Sequence, residues 1–458
     1  MKARKTAGSA RARKGASSLD PLDKGSRGRV PLRGAGLSPA ILIFAVFLAI
    51  SRAAWAETAP PLEIDEALDL MLSRNLTLQS LSKEIDKAEA FKLRADGTLT
   101  PEVSLSASTR DEDTTGTNEA GMSISQVIYS GGGNAAMRKQ APRVRSIADL
   151  AVEDARNRAA GELFARFYNV LLQERYAETE RSASATSEMH LKEITSMAEL
   201  GMSNRLEVIR ASQQVAANKA SLTSANGMYD SAVISLMNYL AISPEDRRPV
   251  SGDLGALEIS GDRKSSLAAA LGNRADLKML ENQIEYQEYQ IDIARGGSMP
   301  RITIGGSAGL RDVNGTGSFD DNWRAELSLT VPILDGNTAR GDVITARAQA
   351  VQDHIALEQK QLDIKSGVET AWTELETAAE HLESAEAALR LAEETYRLAD
   401  VGFREGVTPQ LDLLSAQTSL TESRLEHLRS LYNRMLAVVA LKVTEGNIIE
   451  WAGRFDFR

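Results

Sequence analysis

The side chains from which a metal or acid–base site would be built are few and scattered. The chain has four histidines, His190, His354, His381 and His427, and no cysteine. No histidine stands one helical turn from another, so no face offers two imidazoles to one ion; solvated or seam positions suit them better. Neighbouring carboxylates such as Glu393-Glu394 recur, but a long charged helix produces these without chemistry. Ser130-Gly131-Gly132-Gly133 resembles a phosphate cradle between strand and helix. It lacks the Gly-Lys-Ser/Thr ending, and a tight exit turn from a strand is the simpler account. No nucleophile–base pair stands out, and the expectation is a protein that is not an enzyme, with no catalytic residue, no cofactor and no metal.

The elements that must carry any function begin with an atypical N-terminus. A basic stretch from Lys2 to Arg33 precedes an apolar run from Ala40 to Ile50 and then Ala54-Trp55-Ala56. This order reads as a signal peptide over 1–56, cleaved between Ala56 and Glu57, because the run falls below the ~18 residues a helical span needs. An uncleaved anchor is the alternative. Residues 1–56 hold eleven Lys/Arg and two Asp/Glu, so their removal takes the net charge from −10 to −19. An acidic exported chain argues against nucleic acid as a partner, and the lack of cysteine excludes disulfides and a lipid-accepting thiol. Beyond Glu57 no apolar run is long enough for a transmembrane helix, which leaves a soluble protein or one that crosses a membrane as strands.

The chain is a tandem duplication. Arg74-Asn75-Leu76-Thr77-Leu78 aligns with Asn273-Arg274-Ala275-Asp276-Leu277, and Pro101 with Pro300, at an offset of 199. Val127-Ile128-Tyr129-Ser130-Gly131 aligns with Pro332-Ile333-Leu334-Asp335-Gly336 at an offset of 205, as does Leu206 to Ala211 with Leu411 to Ala416. A first repeat over 57–240 and a second over 264–446 are expected, joined by a Pro/Gly-rich linker at 241–263 and followed by a tail at 447–458. Each unit has a helix, two strands, a very long helix, a turn and a return helix.

The expected strands, about 101–110 and 120–129 and then 300–311 and 323–334, alternate in polarity. Val103, Leu105 and Ala107 alternate with serines, and so do Met122 and Ile124; Ile302, Ile304, Ala308 and Leu310, then Leu327, Leu329 and Val331, repeat the pattern. One strand of this kind suits a half-buried sheet, whereas four of them behind a signal peptide suit a wall with lipid outside and water inside. Polar loops, Asp111 to Glu119 and Asp312 to Asn322, join them, and Tyr129 and Trp323 lie near strand ends where interfacial aromatics sit. Four strands cannot close a barrel, and open edges in hydrocarbon cost several kcal/mol per unpaired group. The membrane reading therefore requires an oligomer.

From Asn337 to about Val401 no proline interrupts a helical pattern, roughly 95 Å of rod. Leu375, Ala378, Leu382, Ala385, Leu389, Ala392, Tyr396 and Ala399 form a coiled-coil seam, and Leu414, Thr418, Thr421, Leu425, Leu428, Tyr432, Met435 and Val439 can return against it. Taken alone, these helices describe a soluble coiled coil.

In this order the motifs resemble the TolC-like outer membrane efflux protein family, the outer membrane factors of tripartite export systems. The carriers are Glu66-Ala67-Leu68 through Asn75, Pro101 and Pro300, Gln126 to Gly132, Val331 to Gly336, and above all Phe403-Arg404-Glu405-Gly406 followed by Leu411 to Gln417. The resemblance implies a mainly α fold with a transmembrane β-barrel portion: a homotrimer whose twelve-stranded barrel in outer membrane lipid continues into a twelve-helix α-barrel across the periplasm. It also implies a periplasmic adaptor and an inner-membrane pump, of RND or ABC type, as partners. The hairpin tips, near 201–206 and 402–411, then correspond to the narrow periplasmic end. There Glu207 and Asp412 are candidate gate residues, and Gly201, Leu206, Val208, Gly406, Leu411 and Leu413 form tip turns, tip packing or adaptor contacts. Pro101, Gly131, Pro300, Pro332 and Gly336 mark the barrel–helix junctions. The family commonly carries a second acid where this chain has Ser415. The implied function is a passive exit duct for small molecules or, as in type I secretion, polypeptide; a soluble periplasmic adaptor is the alternative, and a diffusion porin fits less well with so few strands.

Overall fold

The computed structural model describes residues 60–112, 115–255, 261–313 and 317–453. The expected signal peptide and its Ala56/Glu57 cleavage site lie outside these residues, as do 454–458 of the expected tail, 256–260 of the linker and the loop positions 113–114 and 314–316.

The first unit runs α1 (Ile64–Arg74), α2 (Leu76–Gly97), β1 (Glu102–Glu112), β2 (Thr115–Ser130), α3 (Gly133–Glu199) and α4 (Arg205–Tyr239). The second runs α5 (Arg263–Asn273), α6 (Ala275–Gly296), β3 (Arg301–Val313), β4 (Asp320–Thr330), α7 (Thr338–Arg404) and α8 (Gln410–Glu445), followed by α9 (Ile448–Ala452). The units match in length as well as order: α1 and α5 have 11 residues each, α2 and α6 have 22, and α3 and α7 have 67. At 67 residues each long helix extends about 100 Å.

Punctuation is local. Asn75 ends α1, and its side-chain oxygen accepts from the Thr77 and Leu78 N–H groups that open α2, at 3.0 and 3.2 Å. Asp262 and Ser265 form a reciprocal cap at the start of α5. Positive φ recurs in register at Gly131 and Gly336, Gly201 and Gly406, and Ala241 and Gly446.

The four strands form one antiparallel sheet in the order β1-β2-β3-β4. The joining loops are shorter than the polar stretches suggested, because backbone pairing continues through polar residues: Asp111 pairs with Gly116 and Arg311 with both Glu119 and Asp320. Ladder hydrogen bonds do not depend on side-chain polarity. At the other end β4 stops at Thr330 rather than at 334, next to Pro332, which has no N–H to contribute.

The main core gathers α1, the middle of α3 and the far ends of α4 and α8, with Phe164, Phe167, Leu236 and Leu441 almost fully enclosed. The linker is docked into it. Leu62 bridges Val250, and Val250 and Leu254 are buried. The stretch read as a tail likewise forms α9, whose Trp451 ring lies 5.9 Å from that of Phe164. Two ionic groups, one buried and one half-buried, tie the elements together. Lys442 contacts Glu445 at 2.8 Å, and Glu445 also accepts from the Ser266 hydroxyl at 2.6 Å. Asp276 is held by Arg274 and Lys360, each at 2.7 Å; burial opposes its ionisation, but these hydrogen bonds prevail and hold its carboxyl well below the usual range.

In the helical hairpin, Leu375, Ala385 and Ala392 of the seam are buried, as are Leu414, Met435 and Val439 of the returning helix. Thr418 is exposed instead; Gln417 and Leu420 take the buried place beside it.

Candidate functional site

The sheet divides largely by face, with Gln126 opposite Ile304 and Asp321 opposite Leu310 as polar exceptions on the apolar side and Val127 opposite Thr303 on the other. Cross-strand register puts Leu105 opposite Met122, Met122 opposite Ala308 and Ala308 opposite Trp323; the next apolar row joins Val103, Ile124, Gly306 and Ala325. Rows from Ala107 at one end to Ile302 and Leu329 at the other lie on this same face. Most of it is exposed in the single chain, with Leu105 at 84% and Trp323 at 80%, while Ile302 and Gly306 are half-buried. A continuous apolar face of this extent is unusual on a soluble monomer. From Ile302 to Leu310 it runs about 27 Å along the strand, close to the ~25 Å apolar band of outer membrane barrels. The opposite face carries Ser104, Ser106, Ser108, Ser123, Ser125, Thr303, Ser307 and Ser328, and the Ser104 and Ser123 hydroxyls lie 2.7 Å apart.

Simple alternation would put Tyr129 on the hydroxylic face. A β-bulge between Val127 and Tyr129 inserts Ile128 and brings Tyr129 opposite Ile302, on the apolar face. Tyr129 and Trp323 thus sit toward opposite ends of one apolar band.

At the strand–helix junctions, Pro101 and Pro300 immediately precede β1 and β3. The Ser130 hydroxyl accepts from Asn134 N–H at 3.0 Å, and the Asp335 carboxylate accepts from the Asn337 and Ala339 N–H groups, both at 2.9 Å. The helix start after Ser130 is therefore capped by the chain itself, which suits a turn rather than a phosphate cradle. Gly131 has φ +62°, and a Cβ there would lie 2.4 Å from the Met299 Cβ; its counterpart Gly336, at φ +67°, has open space around it. Pro332 is half-buried between β4 and α7.

At the other end of the long helices, Gly201 and Gly406 adopt φ of +74° and +77° and turn the chain. Asn204 caps α4 by accepting from Glu207 N–H at 3.1 Å, and the Ser203 hydroxyl donates to the Glu207 carboxylate. Asp412 stands exposed in the first turn of α8. Leu206 and Leu411 are more than half exposed, Val208 is half-buried, and Leu413, 4% exposed, packs inward and has no free face for a partner.

The two tips touch through Gln410, His190 and Phe403, a grouping that no sequence motif marks. Gln410, buried at the start of α8, donates from Nε2 to the Glu207 carbonyl at 3.0 Å, and the same nitrogen lies 3.4 Å from His190 Nε2 on α3. The His190 ring meets Phe403 edge-on at 5.3 Å. Burial pushes the His190 pKa down, against the opposing pull of Glu193 and Asp400. A neutral Nε2 lone pair is what a Gln410 N–H can face. Glu207 is thereby brought together with Gln410, two positions before Asp412. The Asn204-to-Glu207 spacing was the one local signal available for this cluster.

No helix among the described residues is long and apolar enough to cross a membrane. The model of the outer membrane efflux protein family matches residues 67–241 and 267–447. Nodulation protein T of Rhizobium leguminosarum bv. trifolii is 24% identical over 185 residues, a match that spans only 39% of either protein. The cobalt-zinc-cadmium resistance protein CzcC of Cupriavidus metallidurans is 21% identical over 81% of this chain and 87% of its own. Among solved structures, the outer membrane protein VceC from Vibrio cholerae shares the fold with a TM-score of 0.71 at 16% identity, covering 84% of this chain and 96% of VceC.

Proposed function

Because the chain belongs to the outer membrane efflux protein family, we propose that it is one subunit of a homotrimeric exit duct in the bacterial outer membrane. Its sheet contributes four strands to a twelve-stranded barrel in lipid. Its helical hairpins, in repeats over 57–240 and 264–446, extend the duct through the periplasm as a twelve-helix tunnel. A periplasmic adaptor docks on it, and an inner-membrane pump of RND or ABC type supplies the energy. The duct conducts passively and the pump selects the cargo.

The observation that carries this reading is the single apolar face shared by all four strands and left uncovered by the chain's own helices. A soluble coiled-coil adaptor would leave that face in water, at a cost of about 25 cal/mol per Å². Membrane fractionation tests it: the mature protein is expected in the outer membrane as a detergent-stable oligomer, and recovery wholly in the soluble periplasm would refute it.

Within this reading Asp412 lines the entrance at the narrow end, with Glu207 as its repeat counterpart, and the exposed Leu206 and Leu411 lie where an adaptor engages. In single-channel recordings Asp412→Asn is expected to reduce cation selectivity and divalent block. Unchanged selectivity would remove Asp412 from the gate.

A further inference from the structure

Each helical hairpin carries a groove on the same side, and only one of the two is charged. Between α7 and α8 a groove of about 620 Å³ runs from Glu426 to Ala440 of the return helix, about 21 Å along its axis. Its counterpart between α3 and α4, of about 480 Å³, runs from Ser224 to Ser235. At the offset of 205 Glu374 matches Asn169 and Asn433 matches Met228, and these residues line the two grooves. α3 packs against α8 without closing either one.

Both grooves face away from the segments that wrap the hairpins. Arg263, at the start of α5, donates to Glu369 and Glu376 of α7, each at 2.6 Å. Glu374, which lines the groove, stands two residues from Glu376 and so about 200° round the helix from it. On α3 the linker covers the corresponding side: a Cβ at Gly252 would lie 3.0 Å from Leu171 and 3.5 Å from Phe167. Asn169, two residues from each of these, lines the other groove. In a closed duct the linker and the short helices must lie outside the wall, because inside they would fill the bore. The grooves therefore open on the lumen.

The charge is confined to the second repeat. Glu374, His381, Glu426 and Arg429 line its groove and are exposed, and among the described residues none of the four has an ion-pair or hydrogen-bond partner. Their counterparts in the first repeat are Asn169, Tyr176, Ser221 and Ser224. The same hairpin is thus built there without a carboxylate or guanidinium at these places, so packing does not account for them. The opposite side of α7 differs: its carboxylates Glu369 and Glu376 are both engaged by Arg263.

We infer that the groove between α7 and α8 is a contact site for amphipathic organic cations passing through the duct. The amine reaches Glu374 or Glu426, and the apolar body lies on Ala378, Leu436 and Ala437. This rests on the proposal that the chain forms an exit duct, and adds the chemical class of a cargo and the stretch of wall it touches. The volume falls within the range of pockets for drug-sized ligands. Two carboxylates outnumber the one guanidinium, and the chain beyond residue 56 carries a net −19, so the field along the bore favours a cation. Exposed charges bind weakly, which suits a site that must release what it holds.

The probes are rhodamine 6G, an amphipathic cation, and fluorescein, an anion of similar size. Fluorescence anisotropy reads their binding to the full-length protein in phosphatidylcholine nanodiscs, with empty discs subtracted. Rhodamine 6G is expected to bind the more tightly. Glu374→Gln with Glu426→Gln should weaken it on the order of fivefold, two exposed charge contacts being lost, while Arg429→Gln should not weaken it. Asn169→Glu with Ser221→Glu, which carries both carboxylates into the first repeat, should add a second dye site per chain. In an oligomer recovered from the outer membrane, equal binding of the two dyes, or rhodamine 6G binding untouched by the Glu374 and Glu426 substitutions, would overturn the site and leave the duct standing. A chain recovered as a soluble monomer would overturn the duct, and with it the lumenal place of the groove.

Discussion

Ile124 and Ser125 are consecutive residues of β2 on opposite faces, and a charge placed at each separates a lipid-facing wall from a merely exposed sheet. Ile124 lies in the row of Val103, Gly306 and Ala325, between the row of Leu105, Met122, Ala308 and Trp323 and that of Gln126, Ile304 and Leu327; Ser125 faces Glu102 on the hydroxylic side. Arginine at the lipid midplane of an outer membrane barrel costs about 2–4 kcal/mol per subunit. That is roughly 30- to 1,000-fold in the folded population. The same arginine at Ser125 would meet water and the Glu102 carboxylate and cost little. Strand propensity and side-chain entropy are shared by the two variants and cancel in the comparison. The assay is the urea midpoint of the oligomer folded into lipid vesicles, with outer-membrane yield as a second readout. Ile124→Arg should lose most of the membrane-inserted form and Ser125→Arg should retain it. If the face were simply open to water, both variants would fall within about 0.5 kcal/mol of the parent, and equal behaviour would refute the assignment of that face to lipid.

Other substitutions test the joints. Gly131→Ala should destabilise by more than Gly336→Ala, because only at Gly131 does a Cβ collide, with Met299 and with the Gly296 backbone; Gly336→Ala should cost about 1–2 kcal/mol from the left-handed backbone alone, and urea denaturation of both compares them. Lys442→Ala leaves the buried Glu445 without its counter-charge, with the Ser266 hydroxyl still donating to it, and should cost about 3–5 kcal/mol, whereas Lys442→Met with Glu445→Leu should recover most of that in the same measurement. The His190 pKa is lowered by burial, so its contribution to stability is present above the unfolded value of about 6.5 and is lost as pH falls through and below it. Protonation turns the acceptor facing Gln410 into a donor. Limited proteolysis of the hairpin tips should therefore speed up below that pH, and His190→Asn should flatten the dependence.

The signals that were legible in the sequence are local or periodic. Strand alternation and the seam from Leu375 to Ala399 follow from periods of two and of about 3.5 residues. The glycines that turn the chain at 201, 336 and 406 take φ values that side chains resist. The duplication is likewise a property of the string. None of these signals says which face meets which neighbour.

That was decided only by tertiary structure, because burial depends on residues brought in from elsewhere in the chain. Leu411 and Leu413 are alike in type and differ in exposure because α8 turns one of them inward. Tyr129 reaches the apolar face through a single extra residue that alternation cannot foresee. His190 and Gln410, 220 positions apart, meet because two hairpins end side by side. Ile448 and Trp451, at the end of the described chain, enter a core whose other walls come from α1, α3, α4 and α8. Pattern set the faces of each element, and packing chose their partners.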